Sequence, residues 1–60
     1  MKAEELRSIR KTHYLTQRAL AVLLGYTANY IARLERGEET ITEHFAKHLR
    51  AVLGRGMKIL

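Results

Sequence analysis

Gln17-Arg18-Ala19-Leu20-Ala21-Val22-Leu23-Leu24-Gly25-Tyr26-Thr27-Ala28-Asn29-Tyr30-Ile31-Ala32-Arg33-Leu34-Glu35-Arg36 forms the middle of the chain. Leu20, Leu24, Tyr26, Ile31 and Leu34 recur at helical spacing on either side of a glycine, so the stretch reads as two short helices sharing a core. Helices joined by a tight turn and crossing at about 90–120° must approach closely. Ala21 is small where that approach is expected, and Gly25 opens the turn. A bulky residue at either position is expected to force the helices apart.

The same grammar extends outward. Thr16 precedes the first helix as its N-cap, and Leu15 and Leu20 stand where a hydrophobic staple forms. Gly25 can take the left-handed conformation of a helix C-cap. The second helix repeats the pattern with Thr27 as cap, Tyr26 facing Ile31 as staple, and Gly37 at its end. Upstream, Leu6, Ile9 and Arg10 form the inner face of a helix over about residues 3–11 that ends near His13. Downstream, a helix capped by Thr42, or by Thr40 through the box Thr40-Ile41-Thr42-Glu43, carries Phe45, Leu49, Val52 and Leu53 on one face and closes at Gly54. The tail Arg55-Gly56-Met57-Lys58-Ile59-Leu60 reads as frayed chain, a short strand or a helical turn.

No stretch alternates with the period of two that a half-buried strand requires. The expected fold class is therefore all-α: a compact bundle of four, or with the tail five, short helices around a central helix-turn-helix. Residues 1–54 are expected to form the domain, and residues 55–60 a tail that is a candidate dimerisation segment.

Sixty residues bury only about 60% of the surface the unfolded chain exposes, which leaves little room for a multi-step active site. The chain has no Cys and no zinc-finger spacing, so apolar packing must hold it and a reducing cytosol is the expected setting. Met1-Lys2-Ala3-Glu4-Glu5 lacks an apolar run, and the longest such run, Ala19 to Leu24, is too short to span a bilayer. Neither secretion nor membrane insertion is expected. His44 and His48 stand four apart but lack a third metal ligand and read as surface residues. His13 has no Ser, Cys or carboxylate placed to work with it, and the one serine, Ser8, lies inside the first helix. Tyr14, Tyr26, Tyr30 and Phe45 read as core or rim. No catalysis, metal or cofactor is expected.

The net charge of +5 is unevenly placed. From Arg7 to Arg36 there are six Lys/Arg and one acid, Glu35, whereas Lys2, Lys47, Arg50, Arg55 and Lys58 are balanced by Glu4, Glu5, Glu38, Glu39 and Glu43. Charge alone fits either a polyanion partner or a solvated surface.

The segment Leu15-Thr16-Gln17-Arg18-Ala19-Leu20-Ala21-Val22-Leu23-Leu24-Gly25-Tyr26-Thr27, followed by Ile31-Ala32-Arg33-Leu34-Glu35-Arg36-Gly37, resembles the lambda-repressor and Cro type of helix-turn-helix, the XRE family of phage repressors and bacterial antitoxins. The resemblance covers about residues 4–54. Its most specific parts are Thr16-Gln17 before Leu20-Ala21, Leu24-Gly25 at the turn, and Glu35-Arg36-Gly37. It implies a lambda-repressor-like fold, binding of double-stranded DNA and transcription regulation. It also implies a pairing of Arg10 with Glu35 that clamps the first helix to the recognition helix.

An α-helix fits the major groove, and the residues of its N-terminal part reach base edges. That assigns base reading to Ala28, Asn29 and Arg33. Backbone phosphates are expected to be held by Gln17 and the first amides of its helix, joined by Thr16, Thr27, Arg18 and Arg36. Lys11 contributes by its proximity in the family geometry, and Tyr30 either touches DNA or covers the core. Family members often carry Lys or Arg beyond the glycine that here is Gly37. This chain has Glu38 and Glu39 instead, which are expected to face away from the DNA.

One recognition helix buries too little to select a genomic site, so a homodimer on an inverted-repeat operator is expected, with half-sites about 34–36 Å apart. The pairing surface is either the fourth helix with Leu53 and the tail residues Met57, Ile59 and Leu60, or the Val22-Leu23 patch. The expected function is a cytoplasmic, nucleoid-associated transcriptional regulator, a repressor of a phage, mobile-element or bacterial promoter. Alternatives are an antitoxin that binds its toxin through the Val22-Leu23 patch and autoregulates its operon, and a protein-interaction module on the same fold. A membrane-surface peptide would need a continuous basic polar face, which the glycine turn and stapled caps do not supply.

Overall fold

A computed structural model describes residues 1–57, with side chains to residue 54. Four helices follow in order: α1 (Ala3–Thr12), α2 (Gln17–Leu24), α3 (Ala28–Glu35) and α4 (Glu43–Met57). No strand occurs among the described residues.

Each helix starts where its sequence offers a partner for the orphan amides of the first turn. At α1 the backbone amide of Lys2 donates to Glu5 Oε1 at 2.7 Å. Acids at Glu4 and Glu5 and bases at Arg10 and Lys11 also match the helix dipole. The other three helices open on threonine hydroxyls. Thr16 accepts from the amide of Ala19, Thr27 from Tyr30 and Thr42 from Phe45, at 3.0–3.1 Å. Thr42 rather than Thr40 is therefore the cap of α4.

Helices α1, α2 and α3 end in one shared pattern, in which two amides beyond the helix fold back onto its last carbonyls. After α2, Gly25 donates to Val22 at 3.3 Å and Tyr26 to Ala21 at 2.8 Å; after α3, Gly37 donates to Leu34 at 3.2 Å and Glu38 to Arg33 at 3.0 Å. Both glycines have φ of 80°. After α1 the same bonds run from Tyr14 to Lys11 at 2.9 Å and from Leu15 to Arg10 at 3.1 Å. Tyr14 holds the left-handed position there at φ 57°, with its side chain in solvent at 95% exposure.

Two expectations about glycines change. A Cβ built on Gly25 meets no atom within 4 Å, so this position needs glycine for its backbone angle and not for room between the helices. Gly54 does not close α4, which continues to Met57. Gly54 is absent from the positive-φ residues, and a glycine that keeps helical angles weakens a helix without ending it.

One apolar cluster joins all four helices: Leu6 from α1, Leu20, Ala21 and Leu24 from α2, Ile31 and Leu34 from α3, Ile41 before α4, and Phe45, Leu49 and Leu53 from α4. Leu6, Leu20, Ile31, Leu34 and Leu49 are wholly enclosed. Truncating one of them to Ala costs about 2–5 kcal/mol, which is much of the stability available to a domain of this size. Tyr26 stacks on Phe45 with ring centroids 5.4 Å apart, and Tyr30 meets Phe45 edge-on at 6.2 Å.

Leu53 was expected on a pairing surface and instead belongs to this core. Met57, Ile59 and Leu60, the other residues of that surface, lie outside the described side chains. His48 is likewise drawn inward from its expected surface position. Its Nε2 is 3.0 Å from the Leu24 carbonyl and its ring stands edge-on to Tyr26 at 6.4 Å, so it ties α4 to the end of α2. Val22 and Leu23 remain exposed, at 72% and 50%.

Candidate nucleic-acid interface

The core fixes which side of α3 is left outside. Ile31, Leu34 and Glu35 point inward, so Asn29, Arg33 and Arg36, spaced at i, i+4 and i+7, share the opposite stripe. Asn29 is exposed, Ala28 and Tyr30 are half-buried, and the side chains of Arg33 and Arg36 are 40% and 53% exposed. The Arg33 guanidinium lies 5.8 Å from the centre of the Tyr30 ring, within the range of a cation–π contact.

The inner side of α3 is held by charge as well as by apolar packing. Arg10 Nε donates to Glu35 Oε2 at 2.6 Å and Arg10 Nη2 to Oε1 at 3.0 Å, while Nη1 reaches the Leu15 carbonyl at 2.8 Å. Gln17 Nε2 adds a bond to Glu35 Oε1 at 3.1 Å, and Arg7 stands 3.8 Å from the same oxygen. Burial pushes the Glu35 carboxyl up, but the hydrogen bonds of Arg10 and Gln17, with the charges of Arg10 and Arg7, outweigh it and hold the group below its ordinary value. The bond to Glu35 in turn raises Arg10. Glu35 is only 4% exposed, and no buried side-chain N or O among the described residues lacks a partner.

The start of α2 presents a second set of groups. Thr16 uses its oxygen as a cap and keeps its hydroxyl proton to donate; Thr27 does the same at α3. The amides of Gln17 and Arg18 occupy the first two helical positions, where no intrahelical acceptor exists. Arg18 and Lys11 are exposed. The Gln17 side chain turns to Glu35, so what it offers to an anion is chiefly its backbone amide.

The two acids after Gly37 do not face away from this surface. Glu39 Oε2 accepts from Arg33 Nε, and Glu38 takes Arg36 Nε at 2.8 Å and Nη2 at 3.2 Å. The hydrogen bond to Glu38 raises Arg36, and Arg36 holds Glu38 below the ordinary carboxylate range. A sequence signal for this existed. A left-handed glycine returns the chain over the last turn of α3, and the next two residues carry the charge opposite to that of Arg33 and Arg36.

Elsewhere, an apolar cleft of about 300 Å³ between α1 and α4 is lined by Ile9, His13, Leu49, Arg50, Leu53 and Gly54. His13 Nδ1 is already engaged with the Ile9 carbonyl at 2.9 Å. No three His, Cys, Asp or Glu residues among those described are placed to hold a metal ion, and no described helix is long and apolar enough to cross a membrane.

A family model described as a helix-turn-helix domain matches residues 3–56, nearly the whole of the four-helix array. No match was found among curated proteins or solved structures.

Proposed function

The chain belongs to the helix-turn-helix domain family, and on that premise we propose that it is a sequence-specific regulator of transcription that binds double-stranded DNA and represses a phage, mobile-element or bacterial promoter by occluding it. The observation that supports this most is the outer stripe of α3: Asn29, Arg33 and Arg36 on one side of a helix whose other side is locked by Arg10 and Glu35. A helix held this firmly can present its side chains to a groove without reordering.

In this reading α3 enters the major groove. Asn29 pairs with adenine N6 and N7, Arg33 with guanine O6 and N7, and Ala28 packs on a thymine methyl. Phosphates are taken by the amides of Gln17 and Arg18, the hydroxyls of Thr16 and Thr27, and the charges of Lys11, Arg18 and Arg36, with Tyr30 at the edge of the contact. Two copies on an inverted repeat supply the affinity that one helix lacks, and the protein acts in the cytoplasm at the nucleoid. No step needs a cofactor or an enzymatic group.

A second reading rests on Val22 and Leu23, which stay exposed beside the same helix pair. In an antitoxin this patch would bind a toxin, and in a dimer a second copy. A salt titration of duplex binding by fluorescence anisotropy tests the main reading. Affinity should fall steeply as salt rises, because phosphate contacts release counterions. Absent or salt-independent binding would favour the interaction module.

A further inference from the structure

We propose that Glu38 and Glu39 form an acidic clasp that competes with DNA for Arg36 and Arg33 and thereby lowers the affinity of the α3 face for any duplex. The inference rests on the DNA-binding reading above.

The clasp is built into the chain reversal at Gly37. The left-handed φ of 80° at Gly37 and the bond from the Glu38 amide to the Arg33 carbonyl at 3.0 Å fasten the loop over the last turn of α3. Glu38 offers both carboxylate oxygens to the Arg36 guanidinium, the same two-point geometry that a phosphate offers. Glu39 takes Nε of Arg33, a side chain assigned here to guanine. Each carboxylate occupies the Nε edge of its guanidinium, offsets the charge that would draw a phosphate, and repels the phosphates of an incoming duplex.

The pairs are also placed to open. Both partners of each stand about half in solvent, at 40% and 41% for Arg33 and Glu39 and 53% and 52% for Arg36 and Glu38, so each is weak and displaceable. Because every duplex brings phosphates up to the same two carboxylates, the clasp penalises random and specific sequences alike. A chain whose segment 7–36 carries all of the net positive charge is thereby held back from non-specific DNA. Glu35, the other acid near α3, cannot act in this way, since it is buried and committed to Arg10 and Gln17.

The test compares the wild type, the double variant Glu38→Gln/Glu39→Gln, and a control, Glu4→Gln/Glu43→Gln, which removes the same formal charge from exposed positions on α1 and α4. Each is titrated with a random-sequence 20-base-pair duplex over a range of salt, and folding is checked by thermal melting. The clasp predicts that the double variant binds about three- to tenfold tighter than the wild type, and clearly tighter than the control. It also predicts that the plot of log affinity against log salt steepens by about one to two, because Arg33 and Arg36 then exchange counterions rather than carboxylates. Equal gains in variant and control would reduce the effect to net charge and overturn the proposal. Unchanged or weaker binding would overturn it too, the latter showing that the acids position the arginines. A wild type without salt-dependent binding would instead remove the DNA reading and the clasp with it.

Discussion

Arg10 and Glu35, twenty-five residues apart, close a polar bridge from α1 to α3 beneath the surface that α3 presents. Both carboxylate oxygens are taken by one guanidinium whose third nitrogen holds the Leu15 carbonyl, so the bridge also fastens the turn that leads into α2. The orientation of α3 about its own axis is therefore held by this bridge as well as by the packing of Ile31 and Leu34.

Arg10→Lys keeps the charge and loses the fork, since an ammonium cannot reach both oxygens and the Leu15 carbonyl in that planar arrangement. We expect a loss of about 1–3 kcal/mol from the orphaned bonds, read as a lower midpoint in urea unfolding. A midpoint equal to that of the wild type would show that the bridge carries no stability.

Acid should release the same bridge. The Glu35 carboxyl is held below its ordinary value of 4.5, so the unfolded chain binds more protons at this group than the folded one. Its contribution is fully present above the ordinary value and is lost as pH falls through the lower, folded value. Stability measured by urea from pH 6 to pH 3 should therefore decline more steeply in the wild type than in Glu35→Gln, which has no proton to take up. Parallel curves would contradict this.

Tyr14 occupies a left-handed position that costs a side-chain residue about 1–2 kcal/mol, and its ring gains no burial in return. Tyr14→Gly should stabilise the protein by about 0.5–1 kcal/mol after the greater freedom of the unfolded glycine is counted. Calorimetry would then show a rise of a few degrees in Tm. A fall in Tm would mean that Tyr14 makes a contact its exposure does not reveal.

Gly25 has open space beside it and a strained angle for any other residue. Gly25→Ala should therefore cost about 1–2 kcal/mol, and Gly25→Asn less, because Asn tolerates this conformation better. Thermal melts of the two variants decide the cause. If crowding governed the site, the larger Asn would be the worse replacement.

Local signals were the legible ones. Thr16 and Thr27 as caps, Gly25 and Gly37 as reversals, and the apolar rhythm of Leu20, Leu24, Ile31 and Leu34 each depend on neighbours within four residues, and they suffice for α2 and α3. The pairing of Arg10 with Glu35 came from family resemblance, since spacing alone cannot match partners so far apart. What escaped the sequence was long-range or ambiguous. His48 finds the Leu24 carbonyl only once α4 crosses α2, and Leu53 looks surplus in the sequence but packs into the common core. Gly54 has the same letter as Gly25 but keeps helical angles. Tyr14 is not a residue that announces a left-handed turn, and the charge of Glu38 and Glu39 after Gly37 signals a return to Arg36 and Arg33 but does not by itself choose that over solvent.

Base reading by α3 through Asn29 and Arg33 is tested by the base-preference profile of the wild type, Asn29→Ala and Arg33→Ala from random-site selection at one fixed salt concentration. Each variant should lose preference at one position of the half-site, an adenine for Asn29 and a guanine for Arg33, by about 1–3 kcal/mol, with the remaining positions unchanged. Profiles identical to that of the wild type, with binding weakened equally for all sequences, would contradict it and leave these two side chains as contacts to the DNA backbone alone.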